Sequence, residues 1–169
     1  LYTNSCVPYE RSEGLYLMFP SRFVDGRTPN PAWDYNGIND AVLMSSRDGK
    51  CFDRTFKEAW VRPGADPDQW HERSVYIMRG ILDTASNELS MYMSDHWRLP
   101  SNTIRRLSLR KDGFASLRAG YTVGEVVTRT LVCAGGQLSL NVSTSAGGSV
   151  RVEVQDPDGR PLTGLGLDD

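Results

Sequence analysis

Leu15-Tyr16-Leu17-Met18-Phe19 is an alternating stretch that comes back as Leu89-Ser90-Met91-Tyr92-Met93. Upstream, Leu1-Tyr2 comes back as Val75-Tyr76, and both matches keep one step of 74 residues (15 to 89, 2 to 76). Arg47-Asp48-Gly49 is echoed by Lys111-Asp112-Gly113 at a shorter step of 64 (48 to 112). The ten lost residues fall in a connector that is long in the first copy (24–38) and short in the second (98–102). A unit of strand, hairpin, strand, connector, strand and Asp-Gly turn that occurs twice predicts radially repeated sheets, as in a β-propeller. Residues 1–120 are therefore expected to form two blades. The repeat also says which loops emerge on one face.

Composition agrees with an all-β chain. Sixteen Gly, nine Pro and the turn pairs Asp25-Gly26, Asn36-Gly37, Asp48-Gly49 and Asp158-Gly159 suit many short strands. With 39% hydrophobic content, 169 residues can bury one sizeable core or two small ones. A formal net charge of −2 gives no overall electrostatic reason for a nucleic-acid or anionic-membrane partner. No apolar run reaches membrane-spanning length. Cys6, Cys51 and Cys133 are odd in number and lack metal-binding spacing, so they read as buried free thiols. No metal or other cofactor is implied. The chain opens inside a strand-like segment without a Met and reads as a fragment.

Residues 1–7 and 14–19 read as strands joined by a polar hairpin. Residues 25–39 are dense in Pro, Gly, Asn and Asp, a loop too polar to bury. Residues 41–46 read as a third strand and 56–61 as a fourth. The polar loop 62–73 contains Asp66-Pro67-Asp68-Gln69, which caps a single helical turn with Pro at its first position. Residues 75–82 then open the second copy. Beyond Gly120, segments 125–133, 137–144 and 149–155 alternate as half-buried strands, so 121–169 are expected to be part of a β-sandwich.

In a propeller blade, the connector from strand two to strand three and the link into the next blade share one face. On that mapping, segments 20–40, 62–73 and 95–102 line one rim. The rim holds Trp33, Trp70 and Trp97 beside Arg22, Arg27, Asp34, Asp40, Arg62, Glu72 and Arg73. Indole faces pack on the C–H faces of sugar rings, while charged side chains bind hydroxyls through paired hydrogen bonds. The mixture predicts saccharide recognition. The plainer role for any one of these Trp residues is to plug a gap between blades.

Tyr2-Thr3-Asn4, Phe19-Pro20-Ser21-Arg22-Phe23, Ser46-Arg47-Asp48-Gly49, Arg62-Pro63-Gly64 and Asn87-Glu88-Leu89-Ser90 resemble segments of glycoside hydrolase family 32. These are relatives of invertases, levanases and fructanases. The stretch from Ser143-Thr144-Ser145 to Asp156-Pro157-Asp158-Gly159 resembles a strand pair of that family's C-terminal sandwich. The resemblance covers nearly the whole chain. It implies the last two blades of a five-bladed β-propeller followed by part of a β-sandwich, acting on glycosidic bonds. The family's Asn-Asp-Pro-Asn-Gly-like, Arg-Asp-Pro and Glu-Cys segments are not present in full, and the first two would lie upstream of Leu1. Where the third would begin an inner strand this chain has Thr3-Asn4-Ser5, and in the next blade Met78-Arg79. An Asn amide does not titrate, so Asn4 cannot be a general acid.

Glycoside hydrolysis uses two carboxyl groups that flank the scissile bond. Asp40, at the mouth end of the third strand, is the candidate carboxylate at the reaction centre; otherwise it satisfies loop amides in an Asx turn. Glu72, between His71 and Arg73, is the second candidate, or else a solvated loop charge. Asn4, Arg22, Arg62, Trp70 and Arg73 are the expected sugar contacts. Glu58 and Glu88 read as structural, Asp48 and Asp112 as turn caps, and His71 and His96 as surface loop residues. Arg105-Arg106 and Arg110-Lys111 read as a solvated strand face. Asn141-Val142-Ser143 has a glycosylation pattern but falls in an expected strand. The expected function is a glycoside hydrolase with this chain supplying one side of the pocket. The alternatives are a carbohydrate-binding propeller without catalysis and a protein-binding propeller that uses the same rim.

Overall fold

The structure is a computed structural model that describes residues 1–27, 31–32, 36–71, 74–132 and 134–168. Trp33, Asp34, Glu72, Arg73 and Cys133 lie outside the described residues. Two compact units are present, Leu1–Ser116 and Leu117–Asp169. Among the described residues the only helical element is a 3-10 turn, Pro67–Gln69, so the fold is all-β.

In the first copy, β1 (Val7–Pro8), β2 (Tyr16–Met18) and β5 (Met44–Ser46) form an antiparallel sheet in the order β1-β2-β5. Its hairpin runs on beyond the sheet as β3 (Ser21–Val24) and β4 (Ile38–Ala41). Met18 pairs Met44 and Ser21 pairs Ala41, so the two stretches share one register. The loop expected over 25–39 is corrected only at its end, where Ile38 and Asn39 belong to β4. Ser21-Arg22-Phe23-Val24 finds cross-strand partners, and Arg22 faces Asp40 as an opposite-charge pair. Gly37 closes the extension at φ +93, with the Phe23 ring where a Cβ would stand. The strands expected over 1–7 and 56–61 shrink to the bridges Tyr2 to Ser21 and Ala41 to Val61, beside the short β1, and a further bridge joins Ser45 to Asp53.

In the second copy, β8 (Glu88–Asp95) is central. β6 (Tyr76–Ile77) and β7 (Leu82–Ala85) lie in succession along one edge and β9 (Thr103–Arg110) along the other. The repeat is visible in the pairing itself. Pro8 opposite Tyr16 becomes Leu82 opposite Ser90, the same step of 74 on both strands. Leu17 opposite Ser45 becomes Met91 opposite Leu107, a step of 62 on the third strand.

Equivalent positions enter one core. Leu15, Leu17 and Phe19 from the first copy join Leu89, Met91 and Met93 from the second, with Val75, Ile77 and Leu43 between them. Phe19, 1% exposed, packs against Trp60 and Phe114 with ring centroids 4.9 and 6.1 Å away. The first strands of the copies run alongside each other in one direction. The Tyr2 and Tyr76 rings meet at 5.8 Å, Ser5 Oγ–H donates to the Ile77 carbonyl, and Arg79 Nε–H donates to the Cys6 carbonyl.

The two Asp-Gly turns have diverged. Asp48 caps its own turn as expected, accepting from the Lys50 and Cys51 backbone N–H groups at 2.8 Å each. Those bonds hold its carboxyl at about 2. Asp112 instead reaches the first copy, accepting from the Tyr9 hydroxyl and from Arg11 Nε and Nη2. The Arg11 and Tyr9 hydrogen bonds hold the Asp112 carboxyl below its ordinary value, while burial, then Asp112, push the Tyr9 phenol up. The arginines of β9 are exposed, as expected, and form ion pairs there: Arg105 with Asp95 and Arg106 with Glu88, while Lys111 just past the strand pairs with Asp83. Cys6 is half-buried and Cys51 is exposed, which corrects the expectation of buried thiols.

In the unit Leu117–Asp169, the three segments expected as sandwich strands form no strand among the described residues. Their alternating side chains are left uncovered, with Val150, Val152 and Val154 51, 42 and 42% exposed. Local structure is confined to turns. Asp156 caps the Asp158-Gly159 turn through the Asp158 and Arg160 N–H groups, and Gln155 bridges Pro161.

Phe19→Ala should cost roughly 3–5 kcal/mol in urea unfolding, because it empties the centre of the aromatic cluster. A depressed carboxyl contributes stability above its unfolded value and loses it as pH falls through the folded value. For Asp112 that loss begins near its ordinary 3.8 and runs downward. Asp112→Asn, which tolerates the left-handed backbone there (φ 60), should flatten the acid limb of the melting-temperature profile.

Candidate functional site

The expected rim separates into two clusters, both within Leu1–Ser116. The first is built on the β3–β4 hairpin. Arg22 Nε–H and Nη2–H donate to the two oxygens of Asp40 at 2.9 and 2.6 Å, and Nη1–H donates to the Lys57 carbonyl. Asp40 is 5% exposed, inside a strand and not at its start. The pair raises the Arg22 guanidinium, chiefly through the Asp40 hydrogen bond. Each Asp40 oxygen thus accepts one hydrogen bond from the guanidinium fork.

Beside the pair, Asn39 is fully buried, against the expectation that this loop was too polar to bury. Its Nδ2 donates to the Tyr2 hydroxyl and to Ser21 Oγ, so the buried amide is satisfied. Ser21 Oγ–H in turn donates to the Val75 carbonyl at 3.4 Å, which links the hairpin to the second copy. Asn4 is exposed. Its side-chain oxygen accepts from the Cys6 N–H in an Asx turn, and its carbonyl accepts from Phe19.

The second cluster joins the loops 62–71 and 95–102. Asp66 caps the 3-10 turn through the Asp68 N–H, and its other oxygen lies 3.0 Å from His96 Nε2. Asp95, completely buried, accepts from Gln69 Nε2, Arg105 Nη2 and the His96 N–H. Gln69 accepts from the Gly64 N–H, and the Trp70 indole N–H donates to the Gly64 carbonyl at 2.7 Å. Ser101 and Asp68 complete the contact between the loops. His71 and His96 are 4 and 9% exposed, which corrects their reading as surface residues. The buried His96 ring keeps a polar partner in Asp66, whose own side chain is partly exposed.

On the outside of this cluster, Trp97, Arg98, Leu99, Pro100 and Asn102 line a depression of about 460 Å³. Trp97 is 43% exposed. The chain turns sharply here: His96 and Arg98 both have left-handed backbones (φ 52 and 68). Leu99 N–H bonds the His96 carbonyl and Asn102 N–H bonds the Leu99 carbonyl, each at 3.0 Å.

Of the expected site residues, Arg22 and Asp40 are brought together. Trp70 stands in the second cluster, Arg62 is exposed, and Arg73 lies outside the described residues. Among the described residues no hydrogen bond or ion pair links Arg62 or Trp70 to Arg22 or Asp40. Asp66, Gln69, Asp95 and His96 were not among the expected site residues. One signal for Asp95 is parity, since it continues the inward series 89, 91, 93. No group of three or more His, Cys, Asp or Glu able to hold a metal ion occurs among the described residues. No family model, curated protein or solved structure matches the chain.

Because Arg22 is partly exposed and Asp40 is not, removal of either partner should cost less than for a fully buried pair, about 1–3 kcal/mol. Arg22→Ala, Asp40→Ala and the double variant, compared by denaturant unfolding, should show a coupling of about 1 kcal/mol or more. Additive losses would mean the pair contributes nothing specific.

Proposed function

We propose that this chain is a carbohydrate-active protein whose 95–102 turn is a saccharide-binding platform. The observation that carries the reading is the Trp97 depression. An indole 43% exposed stands beside Arg98 and the Asn102 amide on a turn anchored by buried hydrogen bonds. Aromatic faces favour the C–H faces of sugars, and a held turn presents them without ordering cost on binding. The resemblance of Ser46-Arg47-Asp48-Gly49 and its neighbours to glycoside hydrolase family 32 points to the same ligand class. Two successive propeller blades belong to this proposal, supported by the first strands of the copies running side by side in one direction.

A second reading, glycoside hydrolysis with Asp40 at the reaction centre, is favoured by the burial of that carboxylate. In that reading Asp40 stabilises or attacks the anomeric carbon with a lone pair that the Arg22 hydrogen bonds leave open. The proton donor is then a different carboxyl, about 5–10 Å across the bond.

Titration calorimetry of the full chain with kestose, xylotetraose and maltotetraose tests the first reading. Trp97→Ala should weaken binding of the preferred sugar at least about tenfold. Its unfolding midpoint should stay near that of the parent, because an exposed indole contributes little to the core. Equal affinities for parent and variant would remove Trp97 from the site.

A further inference from the structure

We infer that Asp66 and His96 are positioning residues that set the orientation of Trp97, an inference that rests on the saccharide reading above. Trp97 stands between two left-handed residues, so its direction follows from how His96 is held. The His96 ring has one polar handle. Nε2 lies 3.0 Å from Asp66 Oδ2 and 3.8 Å from Asp95 Oδ2, whereas Nδ1 is buried with no hydrogen-bond partner among the described residues. With nothing to accept a hydrogen from Nδ1, the ring hydrogen belongs on Nε2, donating to Asp66. Asp66 is itself fixed, because its other oxygen caps the Pro67–Gln69 turn. The carboxylate thus holds two segments at once, the 3-10 turn and the turn that presents Trp97. Asp95 completes the seat by accepting the His96 N–H, with Arg105 and Gln69 on its remaining oxygen.

Asp66→Asn separates the two tasks. Asn caps helical turns as well as Asp does, so its carbonyl oxygen keeps the Asp68 N–H. Its amide N–H₂ then faces His96 Nε2, donor against donor. The conflict is relieved only if the ring hydrogen moves to the orphaned Nδ1 or if the ring leaves its seat. His96→Gln is the rescue, since the Gln amide keeps a donor for Asp66, and His96→Ala keeps none.

The full chain and these variants are compared by ¹⁵N NMR of the imidazole tautomer, by calorimetry with kestose, xylotetraose and maltotetraose, and by thermal melting. The parent should show the Nε2–H tautomer. Asp66→Asn should lose that signature and bind the preferred sugar at least fivefold more weakly, with its β-sheet circular dichroism unchanged. His96→Gln should stay within about twofold of the parent while His96→Ala does not. Parent-like affinity in Asp66→Asn, or equal affinities in His96→Gln and His96→Ala, would overturn the positioning role. Should His96→Ala fail to fold, Asp66→Asn and the tautomer decide alone. If Trp97→Ala loses binding and Asp66→Asn keeps it, the positioning role fails and the saccharide reading stands. No binding of any of the three sugars by the parent removes both.

Discussion

Side chains alternate across a strand, so a repeated sheet unit buries the same face in each copy only when the cross-strand register sets inward residues opposite inward residues. The central pairings of the two copies do so. The hairpin strands recur at a step of 74 and the third strands at 62. The step is shorter by twelve at the third strand, where Ser45 and Leu107 take equivalent places opposite Leu17 and Met91. A one-residue slip of β9 against β8 would put Leu107 and Leu109 on the outer face and take Leu107 from its place opposite Met91. The shared core depends on that register more than on any single contact.

Around the core, equivalent residues have taken different tasks. Asp48 and Asp112 occupy corresponding turns, but one satisfies its own backbone while the other clasps Tyr9 and Arg11 of the neighbouring copy. The difference is one of surroundings. A carboxylate with donors from its own loop within reach closes the turn, and one set beside a guanidinium and a phenol spans the gap instead. The same logic separates the two connectors. The long one folds back as the β3–β4 hairpin around Arg22 and Asp40, and the short one folds as a tight turn over Asp95.

Much of the fold was legible in the sequence where the signal was local. The repeated apolar alternation located the central strands, and Asp66-Pro67 located the 3-10 turn with its cap. Other features depended on partners distant in the chain. Asn39 reads as a loop residue until the Tyr2 hydroxyl and Ser21 supply its hydrogen bonds. His96 reads as exposed until Asp66, thirty residues away, faces it. The alternation after Gly120 shows the opposite case, since a periodic pattern left uncovered formed no strand among the described residues. The candidate site was legible as a set of residue types, aromatic with charged, but not as a grouping. Sequence places Arg22, Asp40 and Trp70 on one rim, whereas the hydrogen bonds divide them between two clusters.

The closure of the β3–β4 hairpin has a consequence for how this molecule can vary. Gly37 N–H bonds the Arg27 carbonyl, and the Phe23 ring fills the space where a Cβ at position 37 would lie. The strands are thus pinned before the intervening segment begins, and the cost of lengthening a closed loop grows only slowly with its length. Position 37 admits no side chain unless the Phe23 ring moves, so these two residues can change only together.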